Sequence, residues 1–593
     1  MPIQSRSTKD EKTQKLNRSH SGCKSCRRRG KRCDETKPSC LACTRLSLEC
    51  SYGLDINFRN VTRAHFQKHG KAQIPSSQPA AMISLSDTKY NVTRFNDLGG
   101  PSSPTFPATL DSGDSIEANY FNHFQSHVRR LLPAASLRFT SGIPQSLCLR
   151  LSTLCLAASN LSMLDSRVQS RIHAGDSRTS LFSPCVNYSH HYRAQKYHDL
   201  TLWHLRTIKA DELKRHSPEL LVSLVLLAYY NHASTDHYKF RLAVWDSVRF
   251  VLLNKESIID SPDGPDSLQL WYRLCMSHRP AKPPALLLEG EGLSSFSPNL
   301  LSATTNHIYL KCILGMSVDD LIYDILIKTL EIRTKLVVYR CVAGSCQISD
   351  LSVEIGTVAH GVLSKLLGRN SIPDEYYEAR DSYVRGSHLL GLLDVQKERL
   401  KVWTARISKD QLPMICHSFS THQDTMNALY CMLCEIAFEE AKIHDFSVDH
   451  DEYSPTRIEN YAWKACQIAS TVDLTLSTTS DVYTLSLTEI LLQLVLLWRS
   501  DTIFHYILGV LWQQIENNGK GYEHSHYPTH LVKRIITQME IYWEKDRAVT
   551  FAIPAVPETI SKVKLLDIKH PIDLVVGGYN RDGQHFVEKI PLP

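Results

Sequence analysis

Missing from this chain of 593 residues is any apolar run long enough to cross a bilayer. The longest, around Leu220–Tyr230 and Ile490–Trp498, fall well short of the ~20 residues a spanning helix requires. The opening stretch, MPIQSRSTKDEKTQK, lacks the apolar core of a secretory signal. A secreted or membrane-bound protein is therefore not expected. The chain also lacks a GxxxxGK[ST] phosphate loop, an HExxH pair and a GxSxG elbow, so no enzyme is expected from its motifs. What remains is ordinary: 42% apolar and 22% charged residues, a balance that excludes wholesale disorder. The length provides for more than one folded unit and a large core.

The charge is unevenly placed. The whole chain carries +6 from 67 basic and 61 acidic residues. Residues 1–59 hold 14 Lys/Arg against 6 Asp/Glu, a surplus of +8 that leaves the remainder at −2. A short basic head on a near-neutral body points to a polyanion, with nucleic acid foremost; a disordered basic tail would show the same charge.

The cysteines separate these readings. Six of the 17 fall between Cys23 and Cys50, spaced C-x2-C-x6-C-x6-C-x2-C-x6-C. Adding 17 to Cys23, Cys26 and Cys33 gives Cys40, Cys43 and Cys50, so the segment is a doubled half-motif. Without an export signal, clustered thiols read as metal ligands rather than disulfides. A structural zinc ion takes four ligands in a tetrahedron. Six cysteines fill one site with two to spare, or two sites if two sulfurs each bridge both ions. The second arrangement uses every cysteine and the repeat, with Cys23 and Cys40 as equivalent bridges. Its six thiolates and two divalent ions sum to −2, which neighbouring basic side chains offset. A mononuclear four-cysteine site leaves the repeat unexplained.

The segment SGCKSCRRRGKRCDETKPSCLACTRLSLECSYG resembles the binuclear zinc cluster of fungal transcription regulators in its six spacings, the basic run before the third cysteine, the CDE after it and Pro38 in the central loop. The resemblance implies two zinc ions, two short helices held by the bridged pair, double-stranded DNA as partner and the nucleus as location. Lys24, Arg27, Arg28, Arg29, Lys31 and Arg32 are the candidate DNA-contacting residues. A helix from Cys26 spreads them around its surface, so some meet phosphates while others reach base edges. Family members that read CGG-like triplets place basic residues third and fourth after the second cysteine; here these are Arg29 and Gly30, and Gly30 has no side chain to offer. Arg29 and Lys31 are assigned to bases, and Lys24, Arg27, Arg28 and Arg32 to phosphates. Lys9, Lys12, Lys15 and Arg18 extend the basic cluster into a nuclear import signal. Leu41, Leu46 and Leu48 are expected in a small apolar core.

The expected organisation is a disordered basic tail (1–18), the zinc module (19–53), a disordered linker rich in Pro, Ser and Gly (54–113) and a helical body (114–593). No apolar heptads follow the module, which leaves a monomer or a homodimer made by the body. Asp114 and Glu117 suggest a capping box ahead of Tyr120, Phe121, Phe124, Val128, Leu131 and Leu132 at helical spacing. Ser217-Pro218-Glu219 opens a nearly all-apolar helix read as a central buried one. Leu242, Trp245, Val248 and Leu252 mark an amphipathic helix after a turn at 234–236, and Ser486 with Glu489 opens ILLQLVLLW. Strand-like alternation is scarce outside DLVVGGYNRDG. The fold class expected is mainly α, with a large all-helical body of a size for two lobes. Through YFNHFQSHVRRLLP, LCLAASNLS, YHDLTLWHLR and LLVSLVLLAYYNHAS this body resembles the second type of fungal-specific transcription factor domain, which implies regulation of the head and contact with transcriptional co-regulators.

Other candidate sites in the body have simpler readings. Cys431 and Cys434 sit in an apolar helical stretch and read as buried free thiols. His190, His191 and His198 near Cys185 read as structural histidines. Gly577-Gly578 with Gly583 lacks phosphate-loop spacing, and Gly290-Glu-Gly292 reads as a turn. The function expected is a sequence-specific DNA-binding regulator of RNA polymerase II transcription. The alternative is an enzyme or scaffold that uses the zinc module only for docking.

Overall fold

The computed structural model describes residues 25–26, 29, 33–34, 36, 39–46, 48 and 50 near the amino terminus. Beyond them it describes residues 114–133, 146–173, 187–234, 237–278, 315–346, 362–363, 365–367, 386–415, 418–443, 455–518, 529–555 and 571–592. The tail and linker read from the sequence, 1–18 and 54–113, lie outside these. The chain divides into two compact units, Met1–Arg94 and Phe95–Pro593. The first contains helix α1 (Leu41–Arg45).

In the second unit α2 (Asp114–His123) runs through a π-helical turn at Phe124–Val128 into Arg129–Leu131. It buries Tyr120, Phe124, Val128 and Leu132, as the spacing predicted. The side chain of Asp114, the first member of the expected capping box, lies outside what the structure describes. Glu117 pairs with Arg150 at 2.6 Å and accepts from the Tyr197 hydroxyl at 3.4 Å.

The next helices are α3 (Leu147–His173), α4 (Tyr188–Thr207), α5 (Ala210–Arg215), α6 (Ser217–Ser234), α7 (His237–Ile259) and α8 (Gly264–His278). Helix α6 is the predicted central helix: Leu220–Tyr230 is buried on every side, with α3, α7 and α8 packed around it. Ser217 does not cap it; its hydroxyl donates back to the Lys214 carbonyl in α5. On α7 the expected apolar face is displaced. Phe240, Val244, Val248 and Val251 are buried, whereas Leu242 and Leu252 are exposed, because the stripe that meets α6 and α8 is aromatic and β-branched.

The second half is built from α9 (Val318–Ser345), α10 (Gly386–Thr404), α11 (His422–Ile443), α12 (Pro455–Ser470), α13 (Leu474–Ser480) and α14 (Leu487–Leu497). It continues with α15 (Asp501–Tyr506), a π-helical turn at Ile507–Leu511, α16 (Trp512–Asn518) and α17 (Thr529–Trp543). The capping box predicted at Ser486 is formed: its hydroxyl accepts from the Glu489 N–H, and the Glu489 carboxylate accepts from the Ser486 N–H at 3.0 Å. The two halves share one continuous core rather than forming separate lobes. Across the junction the Tyr272 hydroxyl donates to Asp324 at 2.9 Å, and the Arg273 guanidinium lies 3.4 Å from the centre of the Tyr323 ring.

The class is mainly α, but the body is not helical throughout. Strands β1 (Arg547–Ala555), β2 (Ile572–Asn580) and β3 (His585–Leu592) form an antiparallel sheet in that order, packed on α9. DLVVGGYNRDG supplies β2 and its turn. Gly577 and Gly578 are there for close approach: a Cβ on Gly577 would lie 2.2 Å from the Phe551 ring, and one on Gly578 1.8 Å from the Ala548 carbonyl oxygen.

Register shifts between Val549 and Phe551, and the Thr550 carbonyl accepts from Arg333 Nη1 at 2.7 Å. Arg333 is a buried hub. It pairs in bidentate fashion with Glu440 (3.2 and 2.9 Å) and also donates to the Leu496 carbonyl at 2.9 Å, so one side chain ties α9 to α11, α14 and β1. Among the described residues no helix is long and apolar enough to cross a membrane.

Candidate metal centre and nucleic-acid interface

The amino-terminal unit is organised around sulfur. Cys26, Cys40 and Cys43 are fully buried, Cys33 is buried and Cys50 partly so. Their sulfurs form two groups, Cys26–Cys33–Cys40 and Cys40–Cys43–Cys50, with the ligand atoms of each group within 4.8 Å of one another. Cys40 belongs to both. The Cys26 and Cys40 sulfurs are 3.7 Å apart, far beyond the ~2.05 Å of a disulfide. That spacing matches the edge of a thiolate tetrahedron, about 3.8 Å for metal–sulfur bonds of about 2.3 Å. The donors are soft, clustered and drawn together away from water, so the residues present fit structural zinc. Cys23 lies outside the described residues.

Local geometry explains how Cys40 serves both groups. It is the N-cap of α1, extended at φ −72° and ψ 150°, and its sulfur accepts from the Cys43 N–H at 3.4 Å. The C-x2-C spacing thus places a cap and a first-turn residue with their sulfurs on the same side. The Cys40 N–H in turn donates to the Cys50 sulfur at 3.3 Å. Such donors steady sulfur in the form that binds metal.

The CDE segment contributes a feature that spacing alone did not reveal. Asp34 Oδ2 accepts from the Thr36 hydroxyl at 2.5 Å and from the Leu41 N–H at 3.0 Å. The Thr36 hydroxyl first, and then the Leu41 backbone, hold its carboxyl down at about 2. The only sequence signal was an acidic residue directly after one cysteine, seven positions before the helix it reaches.

Arg29 is exposed and its N–H bonds the Ser25 carbonyl at 3.2 Å, closing a helical turn after Cys26. Lys24, Arg27, Arg28, Lys31 and Arg32 lie outside the described residues. The leucines depart from expectation: Leu41 is 69% exposed, and Leu46 and Leu48 are exposed as well. Among the described residues the interior is made of Cys26, Cys33, Cys40 and Cys43, flanked by Ala42 and Cys50. The sulfurs occupy the space an apolar core would fill.

The body offers no rival metal site among the described residues. Cys431 and Cys434 are buried thiols whose pKa burial drives upward. His190 Nδ1 lies 2.7 Å from the Tyr120 hydroxyl and His198 Nδ1 3.0 Å from Asp199; burial lowers the pKa of His191. Cys185 and Gly290–Gly292 lie outside the described residues.

Two groups of cysteine sulfurs joined through a common member define a thiolate centre of the kind that binds zinc. Residues 21–56 match the fungal Zn(2)-Cys(6) binuclear cluster domain. The chain is 34% identical over 107 residues to sterol uptake control protein 2 of Saccharomyces cerevisiae, a stretch covering 17% of this chain and 12% of that protein. It is 33% identical over 120 residues to transcriptional regulatory protein pro1 of Neurospora crassa, covering 20% of this chain and 17% of that one. The chain thus spans under a fifth of either relative. No solved structure matches it.

Proposed function

We propose that this protein is a zinc-dependent, sequence-specific DNA-binding regulator of RNA polymerase II transcription that acts in the nucleus. The observation that carries the reading is the Cys40 sulfur common to both cysteine groups, inside the segment that matches the zinc cluster domain. Cys23, Cys26, Cys33, Cys40, Cys43 and Cys50 would hold two zinc ions, with Cys23 and Cys40 as bridges. Bound metal supplies the folding free energy that so short a segment cannot draw from apolar burial.

The chain's own residues do the rest. Arg29 and Lys31 reach base edges in the major groove, while Lys24, Arg27, Arg28 and Arg32 engage phosphates and set the register. Gly30 leaves one position of the usual CGG-like contact empty, so the preferred triplet is expected to tolerate substitution there. The helical body, read as the second type of fungal transcription factor domain, relays regulation through co-regulators.

Selection of bound sites from random duplexes by the full-length chain tests this. A regulator enriches one motif, whose length and symmetry report the stoichiometry, and its affinity falls steeply with salt, with a log–log slope near −0.9 per phosphate contacted. Enrichment of no motif, or binding indifferent to salt, would refute the assignment.

A further inference from the structure

We infer that Asp34 is a positioning residue that latches the two halves of the cysteine module together and makes them hold metal as one unit. The inference rests on the binuclear reading above. Asp34 follows Cys33, a member of the first sulfur group, and its carboxylate accepts the N–H of Leu41 at 3.0 Å. Leu41 follows Cys40, the shared sulfur, and opens the helix that carries Cys43 of the second group. The bond therefore closes the 33–41 loop by a route independent of sulfur.

Thr36 lies within that loop and its hydroxyl donates to the same carboxylate oxygen at 2.5 Å, aiming it. The N–H that is satisfied belongs to the first turn of α1, where it has no partner within the helix. Without the latch, the two groups are held together through the shared Cys40 and its sulfur contacts, a weaker link across which the second group can open while the first stays closed.

The exposed setting of Asp34 and Leu41 lets water compete for the bond, so the effect is that of a helix cap, about tenfold in an equilibrium or rate. The test uses the full-length chain and follows zinc content and the time course of zinc transfer to a chromogenic chelator. Wild type is expected to carry two ions and release them in one phase. Asp34→Ala is expected to release them in two phases, the faster carrying one ion and running about tenfold above wild type.

Asp34→Asn keeps an acceptor oxygen toward the Leu41 N–H and restores a single phase, within about threefold of wild type. Thr36→Val falls between the two. A wild-type chain that holds fewer than two ions overturns the binuclear reading and the latch with it. Two ions in wild type but unchanged release from Asp34→Ala overturns the latch alone, as does an Asp34→Asn chain as impaired as Asp34→Ala. Unaltered far-ultraviolet circular dichroism of the body in each variant assigns the change to the module.

Discussion

Replacing Arg333 with methionine is the sharpest test of how the body is held together. Arg333 and Glu440 are 2% and 1% exposed and meet through two hydrogen bonds. Losing the guanidinium takes two charge-assisted hydrogen bonds from the buried Glu440 carboxylate, which costs about 3–5 kcal/mol. The Thr550 carbonyl also loses its Arg333 donor, adding about 1 kcal/mol or more. The Leu496 carbonyl suffers less, since Arg499 Nη1 also donates to it at 2.9 Å. A total of about 4–6 kcal/mol is a large share of the roughly 5–15 kcal/mol that keeps a domain folded.

Urea unfolding followed by far-ultraviolet circular dichroism reads this as a lower midpoint at constant slope. Arg333→Met with Glu440→Leu is expected to recover about 2–3 kcal/mol of the loss, because an apolar pair leaves no buried charge unmatched. A single variant within about 1 kcal/mol of wild type, or a double variant worse than the single, would refute the reasoning.

Further outcomes follow from other sites. Cys40→Ala should reduce bound zinc from two ions to none in metal analysis of the full-length chain, and Cys33→Ala should leave one, because Cys40 is common to both sulfur groups whereas Cys33 belongs to one. Gly578→Ala should destabilise the body by about 3 kcal/mol or more in urea unfolding, since its Cβ meets the Ala548 carbonyl. Gly583→Ala, at φ +76° in open space, should cost only about 1 kcal/mol from backbone strain. His422 is pulled down by burial, but the hydrogen bond and charge of Asp481, 3.0 Å away, outweigh this and raise its pKa above 6.5. Its contribution to stability is therefore full below pH 6.5 and lost as pH rises through the higher folded value. The stability gap between wild type and His422→Gln, measured by urea midpoint, should narrow steadily above pH 6.5.

The cysteine spacing was legible in the sequence because ligand count and repeat are properties of the chain alone. The Ser486 box was legible for the same reason, since its partners lie three residues apart. The contacts of Glu117 with Arg150 and Tyr197, 33 and 80 residues away, had no such local signal. Leu242 and Leu252 misled because helical periodicity marks more than one apolar stripe on α7, and the neighbouring helices select among them. The exposed leucines of the first unit show the same limit in miniature: apolar composition suggested a core where sulfur already supplied one. Arg333 and Glu440, 107 residues apart, left no local trace. The sheet was half visible, in the alternation of β2 and not in the strands on either side.

The placement of β1 has a consequence for how this chain is made. Arg333 is synthesised 217 residues ahead of Thr550, which at about 5–20 residues per second is about 10–40 s of translation. Throughout that wait the surface of α9 that will receive the strand lacks it. An arginine and a glutamate standing there stay hydrated and harmless, whereas a greasy pair of equal strength would invite premature clumping. The ribosome's schedule thus gives this ion pair a merit that its energy in the finished protein does not reveal.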